Sequence, residues 1–492
     1  TSALMPLLNS DSAKDLQVQV AQAIGSNADK VTAFYQWQWS GLDPVWQKLL
    51  VLCADVRGLL LEMLMIATDQ KQPFAPAQAL FSALGAANED QNRFAEGLNA
   101  WASAGFLSRF PHGRMIDSRC LDFLASKRET CLAELEADKT LQLNFSQLIC
   151  EGIRLLALHV NKQPNPNISN NLLINRRHWV KHFEILWFGG DYRGFMAVKS
   201  AFDQLLQQAK IGEESQAWAL DLLQRTPLMT QESPMEARFC WLALASGVLS
   251  SGGMSKDQAD VSNSDVIKQG ALYWRDWFNG LTPTLDEKQL PLFQQVVTFL
   301  EHYYQSESNW AEAIVICQKS YHVYQQYQAW HRVIQALKSL ALYHVQNGDK
   351  AQALVYEAQI IDDIPYEDSP PGFKIQQWMD ILFARLARLD TDQAQTLLDK
   401  IQQSDGADKL ADMLDGVQCD IYYQQQNYGA ALPYYCQSWG KVLKSEQGAQ
   451  IEQLQTRLLE LKQKLGESVF NPVFELHVDQ DTIKPGEYVT PA

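Results

Sequence analysis

Apolar residues in this chain recur at intervals of three and four over long stretches, the spacing of one buried face of an α-helix, so the pattern predicts an all-α protein. Residues 1–40 read as a helical lead-in, with helical spacing from Leu16 to Ile24. A helix start follows at Gly41-Leu-Asp43-Pro44. Asp43 can accept from the free N–H groups of the first turn, and Pro44 stands where its missing N–H costs nothing. The stripe of that helix is Val45, Leu49, Leu52 and Cys53, and further helices are expected at 59–67, 76–84 and 92–104. Residues 105–117 then read as a short hairpin turning at Pro111-His-Gly113, which closes a small domain at 41–128. A connector at 129–175 is apolar at helical spacing from Leu141 to Val160 and ends in the breaker Gln163-Pro-Asn-Pro-Asn-Ile-Ser-Asn-Asn171. At the other end, Phe474-Glu-Leu-His-Val478 alternates with period two and Lys484-Pro-Gly-Glu487 reads as a turn, so 466–492 is expected to be a tail or the start of a β domain.

Between these ends the pattern repeats. An apolar helix, a turn carrying Gly or Asn beside Asp or an aromatic residue, and a second helix beginning near a small residue occur five times. Trp179, Phe183 and Leu186 lead into Gly190-Asp191-Tyr192 and Phe195. Val297, Leu300 and Tyr304 lead into Asn309-Trp310 and Ala313. Leu337 and Leu340 lead into Gly348-Asp349 and Ala353. Trp378 and Leu382 lead into Asp390-Thr391 and Ala394. Cys419 and Tyr422 lead into Asn427-Tyr428 and Ala431. The anchors 313, 353, 394 and 431 are 40, 41 and 37 residues apart, and residues 235–249 and 264–280 supply helices for the longer interval after Phe195. A single helical hairpin cannot bury its own apolar face, so such units stack on their neighbours and form a continuous core.

On these segments the chain resembles tetratricopeptide repeats over residues 176–465, most closely from 295 to 445. The spacing of about 40 is longer than the usual 34 of that repeat and is similar to the repeats of STAND-class signalling ATPases. Helices followed by a hairpin at 41–128 are the element order of a winged helix, which precedes the repeats in that class. The resemblance implies a helical-repeat superhelix that senses a ligand, a winged-helix-like domain that relays the event, and an ATPase that oligomerises. The phosphate loop G-x-x-x-x-G-K-[ST] does not occur in the chain, so either such an ATPase lies before Thr1, with an oligomer expected where the two are joined, or the resemblance is one of architecture alone.

Composition narrows the function. In 492 residues, hydrophobic content of 46% and charged content of 20% exclude wholesale disorder. The longest apolar run, 49–67, is interrupted by Asp55, Arg57 and Glu62, so no membrane span is expected. Eight cysteines without a C-x-x-C pair sit mostly in apolar stretches, the usage of a reducing compartment, and point to the cytoplasm. A net charge of −16 repels nucleic-acid phosphate. The hairpin region alone is locally basic (Arg109, Arg114, Arg119, Lys127, Arg128), which keeps a DNA-binding regulator as one alternative; a free-standing repeat adaptor is the other. G-x-G-x-x-G, H-E-x-x-H and G-x-S-x-G are all missing. His178 and His182 have metal-ligand spacing but no third ligand nearby, so they read as structural and neither an enzyme, a metal nor a cofactor is expected.

The remaining reading is protein recognition. Taking the first helix of each pair as the inner one places Arg177, Glu184 and Trp187 in a groove, then Gln295, His302 and Gln305, then Gln335 and Lys338, Gln376 and Phe383, and Asp420, Tyr423 and Gln424. Amides, aromatic rings and few charges suit a peptide or a folded protein surface.

Overall fold

The computed structural model describes residues 30–54, 91–110, 113–163, 166–250, 264–281, 285–367, 369–370, 372–445 and 448–477, with Pro76, Ala79, Leu80 and Ser82 as isolated helical positions. The helix expected at 59–67, most of that at 76–84, the hairpin tip at Pro111-His112 and the turn at 484–487 lie outside the described residues. Apart from one two-stranded hairpin, the regular elements of the described chain are helices that pack largely on their neighbours in sequence. It divides into two compact units, Thr1–Ser308 and Asn309–Ala492.

The first unit opens with α1 (Lys30–Ser40), α2 (Pro44–Ala54), α3 (Gln91–Ser103), β1 (Leu107–Phe110), β2 (Gly113–Ile116) and α4 (Leu121–Ala137). The strands are antiparallel, with Leu107 opposite Ile116. Tyr35 and Trp39 of α1 meet Phe106 and Phe123 in one buried aromatic cluster. Trp46 of α2 lies edge-on to Trp101 of α3 at 5.9 Å, and its ring leaves no room for a side chain at Gly97, where a Cβ would stand 2.5 Å away. Asp117 is buried at the end of the hairpin. It accepts from the Arg119 backbone N–H at 2.9 Å, from Arg119 Nε at 2.8 Å and from Ser108 Oγ at 2.6 Å. The Arg119 guanidinium, helped by Ser108, holds this carboxyl well below the usual carboxylate range despite its burial.

Helices α5 (Lys139–Lys162), α6 (Pro166–Phe188), α7 (Tyr192–Gln208), α8 (Gly212–Gln224), α9 (Met235–Ser250), α10 (Asp265–Gly280) and α11 (Leu290–Ser306) complete this unit. The Asn-rich segment read as a breaker is part of α6, which runs through the boundary expected at 175/176. Pro166 stands at its first position, where proline is tolerated. Helices α9 and α10 occupy the places assigned to them by the repeat spacing. Large rings fill the core between these helices: Trp179, Phe183 and Trp187 on α6, Phe195 on α7, Trp241 on α9 and Trp274 on α10.

The second unit contains α12 (Trp310–Gln326), α13 (Trp330–Gln346), α14 (Lys350–Asp362), α15 (Phe373–Ala387), α16 (Thr391–Gln402), α17 (Ala411–Gln424), α18 (Tyr428–Ser445), α19 (Gly448–Leu465) and α20 (Glu467–His477). Phe474 to His477, expected to start a strand, forms the end of α20 instead. Phe470 and Phe474 are both buried and stack at 5.5 Å, a contact that the i, i+4 spacing of a helix creates.

Three-residue turns join α12 to α13, α13 to α14, α15 to α16 and α17 to α18. In each, the middle residue is left-handed: Gln328 (φ 52°), Gly348 (φ 86°), Leu389 (φ 61°) and Gln426 (φ 61°). The third residue sends its N–H back to a carbonyl five positions earlier, as Asp349 does to His344 at 2.7 Å, Asp390 to Arg385 at 3.0 Å and Asn427 to Tyr422 at 2.9 Å. This closes the helix in a Schellman motif. At Asp349 and Asn427 the same residue then caps the next helix, accepting from Gln352 N at 3.0 Å and Ala430 N at 3.4 Å.

Since α12 and α13 are each 17 residues long, the core repeats every 20 positions. Ala313, Val333 and Ala353 are buried in one row, and Ser320, Leu340 and Ile360 in another. The row of Cys317 and Leu337 continues at Glu357, a carboxylate only 2% exposed. Arg385 Nε and Arg388 Nη2 of the α15 end meet it at 2.8 and 2.7 Å, and Arg388 Nε also reaches Asp390 at 2.9 Å. This network ties α14 to α15 across the longer 363–372 connection.

Two outcomes follow. Glu357→Leu leaves buried guanidinium charge unpaired and lowers the unfolding free energy by about 3–5 kcal/mol, whereas Glu357→Leu with Arg385→Leu loses less. Strictly additive losses in a denaturation cycle would contradict a coupled buried network. For Asp117, the folded pKa lies below the unfolded value of about 3.9, so its contribution is complete above about pH 4 and fades as the pH falls from there toward the folded pKa. Wild type should therefore lose stability more steeply than Asp117→Asn on acidification; parallel curves would refute this.

Candidate functional site

Alternate helices of the second unit are bridged side by side. Lys338 of α13 donates to Gln377 Oε1 at 2.7 Å and pairs with Asp380 Oδ2 at 2.5 Å, both on α15. Asp380 also accepts from Gln376 at 3.0 Å. Gln424 of α17 donates back to the Leu386 carbonyl of α15 at 3.2 Å. Tyr423 hydrogen-bonds to Glu460 of α19, while the Arg457 guanidinium lies over its ring at 4.6 Å. The intervening helices are bridged in the same manner, by Gln318 with Tyr356 at 3.3 Å and by Lys400 with Asp362.

Each partner in these bridges lies roughly 40 residues from the other, so α13, α15, α17 and α19 form one layer and α12, α14 and α16 a second. On the first layer, Gln335, Lys338 and Leu342 share a stripe at i, i+3, i+7, and Gln376, Asp380 and Phe383 share one at i, i+4, i+7. Leu342 is 49% exposed and Phe383 46% exposed, each one turn beyond the Lys338–Asp380 pair on its own helix. An exposed ion pair of this kind adds at most about 1 kcal/mol. Its effect is to fix the two helix faces in register, presenting amide groups beside two uncovered apolar side chains.

Of the expected groove residues, Lys338 and Gln376 come together through Asp380, and Gln424 joins α17 to α15. The Gln424 amide oxygen, however, is buried without a partner among the described residues. Gln335 is exposed and within 3.3 Å of His331 Nε2. Asp420 accepts from Tyr435 Oη at 3.0 Å. In the first unit, Arg177 is exposed on α6, but Glu184 is engaged by Arg225 at 2.7 Å and by Trp218 Nε1 at 3.2 Å. Trp187 is no groove residue: it is 1% exposed, and its Nε1 donates to Thr226 Oγ1 at 2.8 Å, so it serves the core. Gln295, His302 and Gln305 are half-buried along one stripe of α11, and burial pushes the His302 imidazole below its ordinary pKa. Leu342 and Asp380 were not among the expected residues. Leu342 stands at helical spacing from Gln335 and Lys338, a signal that apolar character alone assigns to the core.

Three of the basic residues near the hairpin have partners within the unit. Arg114 donates to Asn99 at 2.7 Å, Arg119 is paired with Asp117, and Lys127 donates to Gln36 at 2.6 Å while lying over Phe123. His182 is buried with Nδ1 at 3.1 Å from Ser146 Oγ. No helix among the described residues is long and apolar enough to cross a membrane. The chain matches no family model and no curated protein.

Because Leu342 and Phe383 are uncovered, Leu342→Ser and Phe383→Ser should each change folding stability by no more than about 0.5 kcal/mol in urea titrations. Losses above about 2 kcal/mol would mark both as core residues and remove the exposed face.

Proposed function

We propose that this chain is a non-enzymatic recognition scaffold that binds a protein or peptide on the α13–α15–α17 layer. In this reading the layer is the inner face of tetratricopeptide-like repeats, and the helix-and-hairpin segment at 41–128 is a winged-helix-like relay domain, as in the sensor region of a STAND-like signalling protein of the cytoplasm. The observation that carries the reading is the register of Lys338, Gln376 and Asp380 beside exposed Leu342 and Phe383. Amides and a positioned ion pair supply orientation for a partner backbone, and the two apolar side chains supply area for burial.

The test compares what the full chain and its variants retain from extracts of the source cells. Phe383→Glu and the pair Leu342→Ser with Gln376→Ala should lose a partner that the wild-type chain retains. Val355→Glu, altering an exposed residue of the other layer, should keep it. A partner lost through Val355→Glu and kept by Phe383→Glu would assign binding to the opposite layer and contradict the proposal.

A further inference from the structure

Helices α6, α7 and α8 of the first unit border a cavity of about 430 Å³, a volume within the range of small-molecule sites. Val180, Phe202, Leu206, Ala217 and Trp218 give it largely apolar walls, and the two aromatic rings favour a planar partner. Its rim is charged. Arg176 grips Glu214 through two bonds of 2.7 and 2.8 Å and donates to the Leu173 carbonyl at 2.6 Å, so its guanidinium is both neutralised and immobilised. Arg177, the next residue, also lines the cavity, is exposed, and has no ion pair among the described residues. Glu214 is held below the usual carboxylate range first by Arg176 and also by the field of Arg177, which puts the second guanidinium at the same rim. Among the described residues that line it, two arginines and one glutamate leave one positive charge at the mouth of an apolar cavity, in a chain whose net charge is −16. A neighbouring cavity of about 450 Å³ has no such positive excess, because Lys199 is bonded to Asp203 within it and Glu213 adds a negative charge.

We propose that the α6–α7–α8 cavity binds a small organic anion with a flat apolar body, its body against Phe202 and Trp218 and its anionic group on Arg177. The site lies in the first unit and does not depend on the protein-binding layer of the second.

Anilinonaphthalene sulfonate has a flat apolar body with an anionic group, and phenylnaphthylamine has the same body without the charge. Both are titrated against the full chain by fluorescence. The sulfonate should occupy one saturable site. Arg177→Gln should weaken it about tenfold, the size of a lost charge-assisted hydrogen bond, while leaving the uncharged probe within about twofold. Ala217→Trp, which fills the cavity from an exposed position, should abolish binding of both probes with an unchanged circular dichroism spectrum. Non-saturable sulfonate binding, equal affinity in Arg177→Gln, or retention of both probes by Ala217→Trp would each overturn the assignment.

Discussion

One backbone device recurs at four of the helix junctions of the second unit: three residues between helices, the middle one left-handed. That conformation turns the following N–H back onto the helix just completed, so the chain reverses while its buried donors stay satisfied. Since the same third residue opens the next helix, nothing is left over for a longer loop. Helices α12 and α13, each of 17 residues and about 25 Å, thus return the chain to the same level. Rows of small and apolar residues spaced by 20 come into line, and every second helix can be bridged to the next by side chains.

At one junction without this turn, chemistry other than apolar packing enters. The connection between α14 and α15 is longer, and there a core row carries Glu357 with Arg385 and Arg388 closing on it. Burying such charge adds little net stability compared with apolar residues of the same size, yet removing one partner is costly. The network therefore serves to fix one arrangement of α15 on α14. That placement sets where Gln376, Asp380 and Phe383 stand relative to Lys338 and Leu342, so the packing of the core and the layout of the exposed face share one cause.

Much of this could be read from residues alone, for physical reasons that differ by element. Ala313, Ala353, Ala394 and Ala431 announce close helix approaches, and all four are fully buried. Gly348-Asp349 and Asn427 announce turns through residue types suited to left-handed and capping positions. Gln328 and Leu389 carry no such signal: an ordinary side chain adopts the left-handed form at a cost of roughly 1–2 kcal/mol, outweighed by packing on both sides, so the repeat showed itself at 40 positions and its half-period of 20 stayed hidden. Glu357 and Arg385 look like surface residues until their pairing is seen. Phe474 and Leu476 fit a strand over four residues, and only the partner Phe470 decides for a helix. In the candidate face, residue type picked out amides such as Gln335 and Gln376 but could not separate the buried Trp187 from the exposed Phe383, since both are aromatic residues at helical spacing.

The most direct test of the central claim is amide hydrogen exchange at the third turn residues Asp349, Asp390 and Asn427. If each N–H is bonded back to the helix before it, these amides should exchange as slowly as those inside the adjoining helices. Exchange at the rate of an open loop at all three, beside protected helices, would show that the reversals are not closed in this way and that the spacing of the stack has another origin.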